Sequence, residues 1–112
     1  MITKDKISFS EFLEIEKKLE IKIGRITAAE SVPKSYGIKL TVDFGNDDIR
    51  SVFTNLGKTY HPDQFIGLTT PFVTNLEPSE IKGVLSQAMI LPPQNINGDD
   101  EWIELLEGTK IF

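Results

Sequence analysis

Cysteine is absent from the 112 residues. That excludes disulfides, thiolate metal sites and thiol catalysis, and it suits a cytoplasmic protein. Long apolar runs are also missing: none approaches the ~20 residues of a bilayer-spanning helix. Residues 1–12 show neither the continuous apolar core nor the small-residue cleavage site of a signal peptide. No membrane contact is expected. Positive charge is scarce as well, with 12 Lys and Arg against 17 Asp and Glu, a net charge of −5. Affinity for nucleic acid comes largely from cations that displace counterions from phosphate, so an acidic total lowers the expectation of tight, general binding while permitting a local basic face.

Catalytic signatures are equally thin. The single histidine, His61, precedes Pro62 in a turn-like stretch and reads as a polar loop residue. Ser31-Val32-Pro33-Lys34 has the spacing of S-x-x-K, but that motif needs a helical turn to aim Lys at Ser, and Pro33 opposes one. There is no G-x-G-x-x-G and no P-loop. Asp99-Asp100-Glu101 lacks the spaced ligands and fixed glycine of a calcium loop and reads as a solvated acidic turn; Asp47-Asp48 reads as a hairpin tip. No metal, cofactor or enzymatic activity is expected.

What is present suits one soluble domain, residues 1–112, with 39% hydrophobic and 26% charged residues. Ser8 with Glu11 three residues later forms a capping-box pattern, and Phe9, Phe12, Leu13 and Leu19 recur near helical spacing, predicting a helix over about residues 9–18. From Leu19 the period becomes two, through Ile21, Ile23 and Ile26, as in a half-buried strand. Further strands are predicted over 38–44, 49–56, 65–76 (interrupted by Pro71, at an edge or bulge), 87–91 and 101–106, separated by turn residues. Five or six short strands with one helix predict an all-β fold, a small barrel that hides its strand edges. A five-stranded OB-fold with a short N-terminal helix and minor helices fits the size; an SH3-like barrel competes. OB-folds bind oligonucleotides with cations for phosphate and planar groups for bases. The candidate cations are Lys22, Arg25, Arg50, Lys58 and Lys82, with Lys82 expected in the loop between the fourth and fifth strands.

Several segments occur in an order that carries a family resemblance. Ile7-Ser8-Phe9-Ser10-Glu11-Phe12 leads into Leu19-Glu20-Ile21-Lys22-Ile23-Gly24-Arg25-Ile26. Lys39-Leu40-Thr41-Val42-Asp43-Phe44-Gly45 follows, then Tyr60-His61-Pro62 with Phe65-Ile66-Gly67. The most distinctive pieces are Asn75-Leu76-Glu77-Pro78, Lys82-Gly83 and Ser86-Gln87-Ala88-Met89, before Gly108-Thr109-Lys110-Ile111. Together these resemble the CsaA-like tRNA-binding domain family almost end to end, and the resemblance favours the OB-fold over the SH3-like barrel.

The resemblance implies a non-catalytic OB-fold homodimer that binds structured tRNA or, in the alternative, acts as a secretion-related chaperone for unfolded or presecretory polypeptides. Carried over by position, it implies RNA contacts from Lys22, Asn75, Lys82, Ser86 and Met89; Arg25, Arg50 and Lys58 stay as additional candidate cations from the reading of the residues alone. The N-terminal extension 1–18 and the tail 107–112, through Phe9, Phe12, Ile111 and Phe112, are the expected dimer contacts. Lys22 stands where the family usually has Arg, and Ser79 and Glu80 stand where relatives often carry basic residues. Each lost phosphate contact lowers affinity and its salt dependence, so weak or selective binding is expected.

Overall fold

Ser8 starts the only α-helix among the described residues. Its hydroxyl accepts from the Glu11 amide at 3.1 Å and donates to the Glu11 carboxylate at 3.2 Å, which satisfies one of the amides that a helix start leaves unpaired. A computed structural model describes residues 3–112. It places α1 at Phe9–Glu16, then β1 (Ile21–Ser31), β2 (Ile38–Asp43) and β3 (Ile49–Thr54). Two 3-10 turns follow, Leu56–Lys58 and Pro62–Phe65, and then β4 (Thr69–Val73), β5 (Ser79–Ile81), β6 (Val84–Ser86) and β7 (Met89–Ile90).

β1 organises the barrel. Its first half pairs antiparallel with β4 from Ile21↔Val73 to Arg25↔Thr69, and its second half pairs with β2 from Arg25↔Asp43 to Ser31↔Ile38. A bulge between Ile26 and Ala28 bends the strand between these two partnerships. The resulting sheet has the order β3-β2-β1-β4-β7, with β5-β6 as a separate hairpin. The tail runs beside the open half of β1: Gly108 donates to Ile23 O, Ile23 to Thr109 O, and Ile111 to Ile21 O. β3 and the end of β6 close the circuit, with Gln87 N donating to Ser51 O at 2.9 Å. The result is a nearly closed OB-fold-like barrel.

The interior is made by alternate residues of β1–β3 with Phe65 and Phe72: Ile26, Ile38, Leu40, Val42, Val52 and both phenylalanines are fully buried. Phe44 meets Phe72 edge-on at 5.3 Å. Gly24 allows this contact, because a Cβ there would stand 2.5 Å from Val42 Cγ1 and 2.7 Å from Phe44 Cε1.

Three expectations need correction. Residues 101–106 alternate in sequence, yet no strand covers them. Instead Trp102 packs against Tyr60 and Phe65, each at 6.0 Å between ring centroids, and the Thr69 hydroxyl donates to Ile103 O. Side-chain packing, not a ladder, holds this segment. The strand expected at 65–76 covers only Thr69–Val73, because Phe65 ends a 3-10 turn. Pro71 is also no edge residue, since β4 lies between β1 and β7. It faces Ile23, whose own amide and carbonyl serve the tail, so the missing N–H points toward β7, which ends at Ile90. Leu91 O, without that donor, accepts from the Thr70 hydroxyl at 3.3 Å.

Candidate nucleic-acid interface

Residues 74–89 are fastened to β3 mainly by polar side chains. The Arg50 guanidinium donates through Nη1 to Thr74 O at 2.6 Å and Gln87 O at 3.2 Å, while Asp48 holds its Nε and Nη2 at 2.9 and 3.0 Å. Ser51 N donates to Gln87 Oε1 at 3.0 Å and the Ser51 hydroxyl donates to Leu85 O at 2.5 Å. Phe53 N donates to the Ser86 hydroxyl at 3.1 Å. Three β3 residues thus replace a continuous strand ladder with a side-chain clip.

Within this clip the loop expected around Lys82 is a hairpin. Ile81 pairs with Val84, leaving Lys82 (φ 49°) and Gly83 (φ 84°) as the two turn residues. Positive φ at both positions is the signature of a type I′ turn, whose twist matches the flanking strands. Lys82 therefore stands at a hairpin tip, exposed and in no ion pair among the described residues.

The structure separates the other expected contacts into groups. Met89 and Ser86 line a cavity of about 510 Å³ together with Phe53, Leu76, Ile81 and Glu77. Met89 is 49% exposed there and is no core methionine. The Ser86 hydroxyl is already engaged, accepting from Phe53 N and donating to Ala88 O. Asn75 is engaged too: its Oδ1 accepts from Glu20 N at 2.9 Å and its Nδ2 donates to Lys18 O at 2.6 Å. It bolts the link between α1 and β1 to the end of β4.

Lys22 lies at this link, 3.6 Å from the Glu20 carboxylate, and forms an isolated bridge with Lys110. The Thr74 hydroxyl, donating to Glu20 Oε1 at 2.6 Å, holds the Glu20 carboxyl below its ordinary value, with Lys22 and Lys110 adding to the effect against partial burial. The backbone bridge thus brings Lys110 close enough to act on the acid that pairs with Lys22. Sequence reasoning missed Lys110, whose partner is fixed only by the tail's register against β1.

Arg25 and Lys58 belong elsewhere. Arg25 lines a second cavity, about 540 Å³, with Gly67, Trp102 and Leu105, and binds Gly67 O at 3.0 Å and Glu107 at 3.3 Å. The Glu107 carboxyl is lowered first by a backbone hydrogen bond of its own and then by Arg25. Lys58 stands over the Tyr36 ring at 5.8 Å. Arg50, enclosed by the clip and 5.3 Å from the Phe44 ring, acts within the frame. Among the described residues, no three His, Cys, Asp or Glu side chains group as a metal site.

Residues 21–111 match the family model described as "Putative tRNA binding domain". This chain belongs to the tRNA-binding domain family. It is 39% identical over 89 residues to the methionine–tRNA ligase of Methanococcoides burtonii, covering 79% of this chain and 12% of the ligase. Against the ligase of Helicobacter pylori it is 35% identical over 105 residues, 93% of this chain and 15% of the ligase. The chain thus spans only 12 to 15% of the length of these curated relatives. Among solved structures it superposes on a MetRS related protein from Pyrococcus horikoshii with a TM-score of 0.77 and 28% identity, covering 97% of this chain and all of the other. The chaperone CsaA of Bacillus anthracis gives a TM-score of 0.73 and 30% identity, covering 96% of this chain and all of CsaA. The tRNA-binding domain fold is therefore the OB-fold alternative of the two that periodicity left open.

Proposed function

We propose that this domain binds structured tRNA without catalysing a reaction on it, through two small cationic points: Lys82 at the hairpin tip and Lys22 with Lys110 beside β1. Membership of the tRNA-binding domain family carries the reading, and the unpaired, projecting Lys82 gives it a physical contact. The acids nearby set its strength. Glu20 pairs with Lys22, Glu77 precedes the hairpin and Glu80 stands in its first strand. Few net phosphate contacts result, so binding is weak and responds only modestly to salt. The same reading makes the protein a cytoplasmic homodimer joined through α1 and the tail, which gives one RNA two faces to meet and raises avidity where both reach it.

A salt-titrated gel shift with mixed tRNA tests this. Retardation is expected at low salt. Lys82→Ala should weaken it and flatten the slope of log K against log salt by about 1, the share of one phosphate contact. Absence of any shift at low salt overturns the reading.

The largely apolar cavity around Met89 favours a second reading, in which the same scaffold holds unfolded or presecretory polypeptide. That reading draws support from the structural likeness to a protein named as chaperone CsaA. Changing Lys22 and Lys82 together to Ala separates the two, since only RNA binding should collapse.

A further inference from the structure

The cavity beside the hairpin contains one charged group, and it is an acid. Phe53, Leu76, Ile81 and Met89 form apolar walls, and Glu77 is the sole ionisable side chain on the lining. Glu77 is exposed and enters no ion pair among the described residues. One residue beyond Ile81 stands the free ammonium of Lys82. A space of about 510 Å³ lies within the range of small-molecule sites, roughly 300–1,000 Å³. Apolar walls suit the face of a base, and a cation at the rim suits the phosphate attached to it.

We propose that this cavity takes an unstacked guanine, with Glu77 reading its Watson–Crick edge and Lys82 meeting an adjoining phosphate; this rests on the RNA-binding reading above. A carboxylate offers acceptors only. Guanine presents two neighbouring donors on that edge, N1–H and N2–H, which a carboxylate accepts as a pair. Adenine and cytosine each place a ring acceptor beside their amino group, and uracil flanks its one N–H with two carbonyls. All three set a lone pair against the carboxylate. An acid that is unfavourable for phosphate is thereby favourable for one base, which explains an anion within a nucleic-acid face. The hairpin register fixes the arrangement, because Ser79 opposite Ser86 and Ile81 opposite Val84 place Lys82 at the tip while Ile81 stays on the wall.

The test uses the full chain and short single-stranded RNAs that differ only in one central unpaired base, followed by fluorescence anisotropy at low salt. The guanine RNA should bind about tenfold more tightly than the other three, the discrimination of one good bidentate pair. Glu77→Gln should abolish the guanine preference, because a carboxamide's one donor and one acceptor can pair with the Watson–Crick edge of any of the four bases. Lys82→Ala should weaken all four RNAs alike. Equal binding of the four bases by the native chain, or an equal change in all four on Glu77→Gln, overturns the guanine pocket and leaves the tRNA reading standing. Where no RNA binds, the tRNA reading falls, and methyl NMR decides the pocket. Shifts of the Met89 and Ile81 methyls with guanosine 5′-monophosphate, and not with adenosine 5′-monophosphate, uphold it. Shifts with an unfolded polypeptide and with neither nucleotide assign the cavity to protein and overturn it.

Discussion

Tyr60 joins the aromatic group under the C-terminal segment to an acidic side chain. Its ring stands edge-on to Phe65 at 5.3 Å and Trp102 at 6.0 Å, and its hydroxyl donates to Asp100 Oδ2 at 2.7 Å. That hydrogen bond, with burial and the charges of Asp100 and Asp99 adding to it, pushes the phenol up to about 12 from its ordinary 10. A folded-state value above the unfolded one means that the protonated phenol is the stabilising form. Its contribution is therefore complete below pH 10 and is lost as pH rises through 12. In an alkaline titration, the phenolate absorbance that disappears on Tyr60→Phe should develop near pH 12, and the native chain should lose melting temperature over that window more steeply than the variant. Ionisation of Tyr60 at its ordinary value would show that the Asp100 bond does not persist in solution. No local pattern signals this pairing, since 40 residues separate the partners.

At the scale of elements, Asn75 ties the link between α1 and β1 to the end of β4, beside the bonds of Thr74 to Glu20. Asn75→Ala removes both its bonds, to Lys18 O and from Glu20 N. The site is exposed, so the loss should be about 1 kcal/mol, near the low end for two net hydrogen bonds. Hydrogen exchange at the Glu20 amide should quicken well before that of the β1–β2 ladder, while a uniform change across the sheet would contradict this role. Elements set by local chemistry were legible in the sequence: the Ser8 cap, the alternation of β2, and the Gly45–Asp48 turn, where Gly45, Asn46 and Asp47 all have positive φ. The element misread, 101–106, has the alternation of a strand, but it is anchored by Trp102 against Tyr60 and Phe65 and leaves Leu105 and Leu106 exposed. The β5–β6 hairpin was hidden for another reason. Its strands have three residues each, and Lys82 occupies a turn position where Asn or Asp would have announced a type I′ turn. For the site, Asn75, Lys82, Ser86 and Met89 were legible as positions. Which of their polar atoms are already engaged depends on partners up to 57 residues away, and no local pattern encodes that.

For the molecule as a whole, α1 is an element without a core. None of its residues is buried; Phe9 is 74% exposed, and the ring of the half-buried Phe12 stands near those of Phe9 and Phe112, with centroids 6.5 and 6.2 Å apart. The tail bonds along β1 hold Ile111 and Phe112 beside the helix, so these four side chains present one apolar surface. In the proposed homodimer this surface is covered by its counterpart. Light scattering during size exclusion should give twice the chain mass at micromolar concentration, and Phe12→Ser combined with Phe112→Ser should give a folded single chain with the native near-ultraviolet signal of Trp102. A native protein that elutes at single-chain mass at every concentration would remove the dimer from the functional reading.

The clip on β3 has a consequence for how this domain tolerates change. Arg50 and Ser51 hold residues 74–89 from behind through Thr74, Leu85 and Gln87, and none of these bonds involves Glu77, Ser79, Glu80 or Lys82. The side chains of these four outward residues therefore lie outside the bonds of the mount that displays them, and single substitutions there should change folding stability by no more than about 0.5 kcal/mol in denaturant unfolding. A scaffold divided in this way permits ligand preference to drift from one anion or base to another, one residue at a time, with no intermediate that fails to fold.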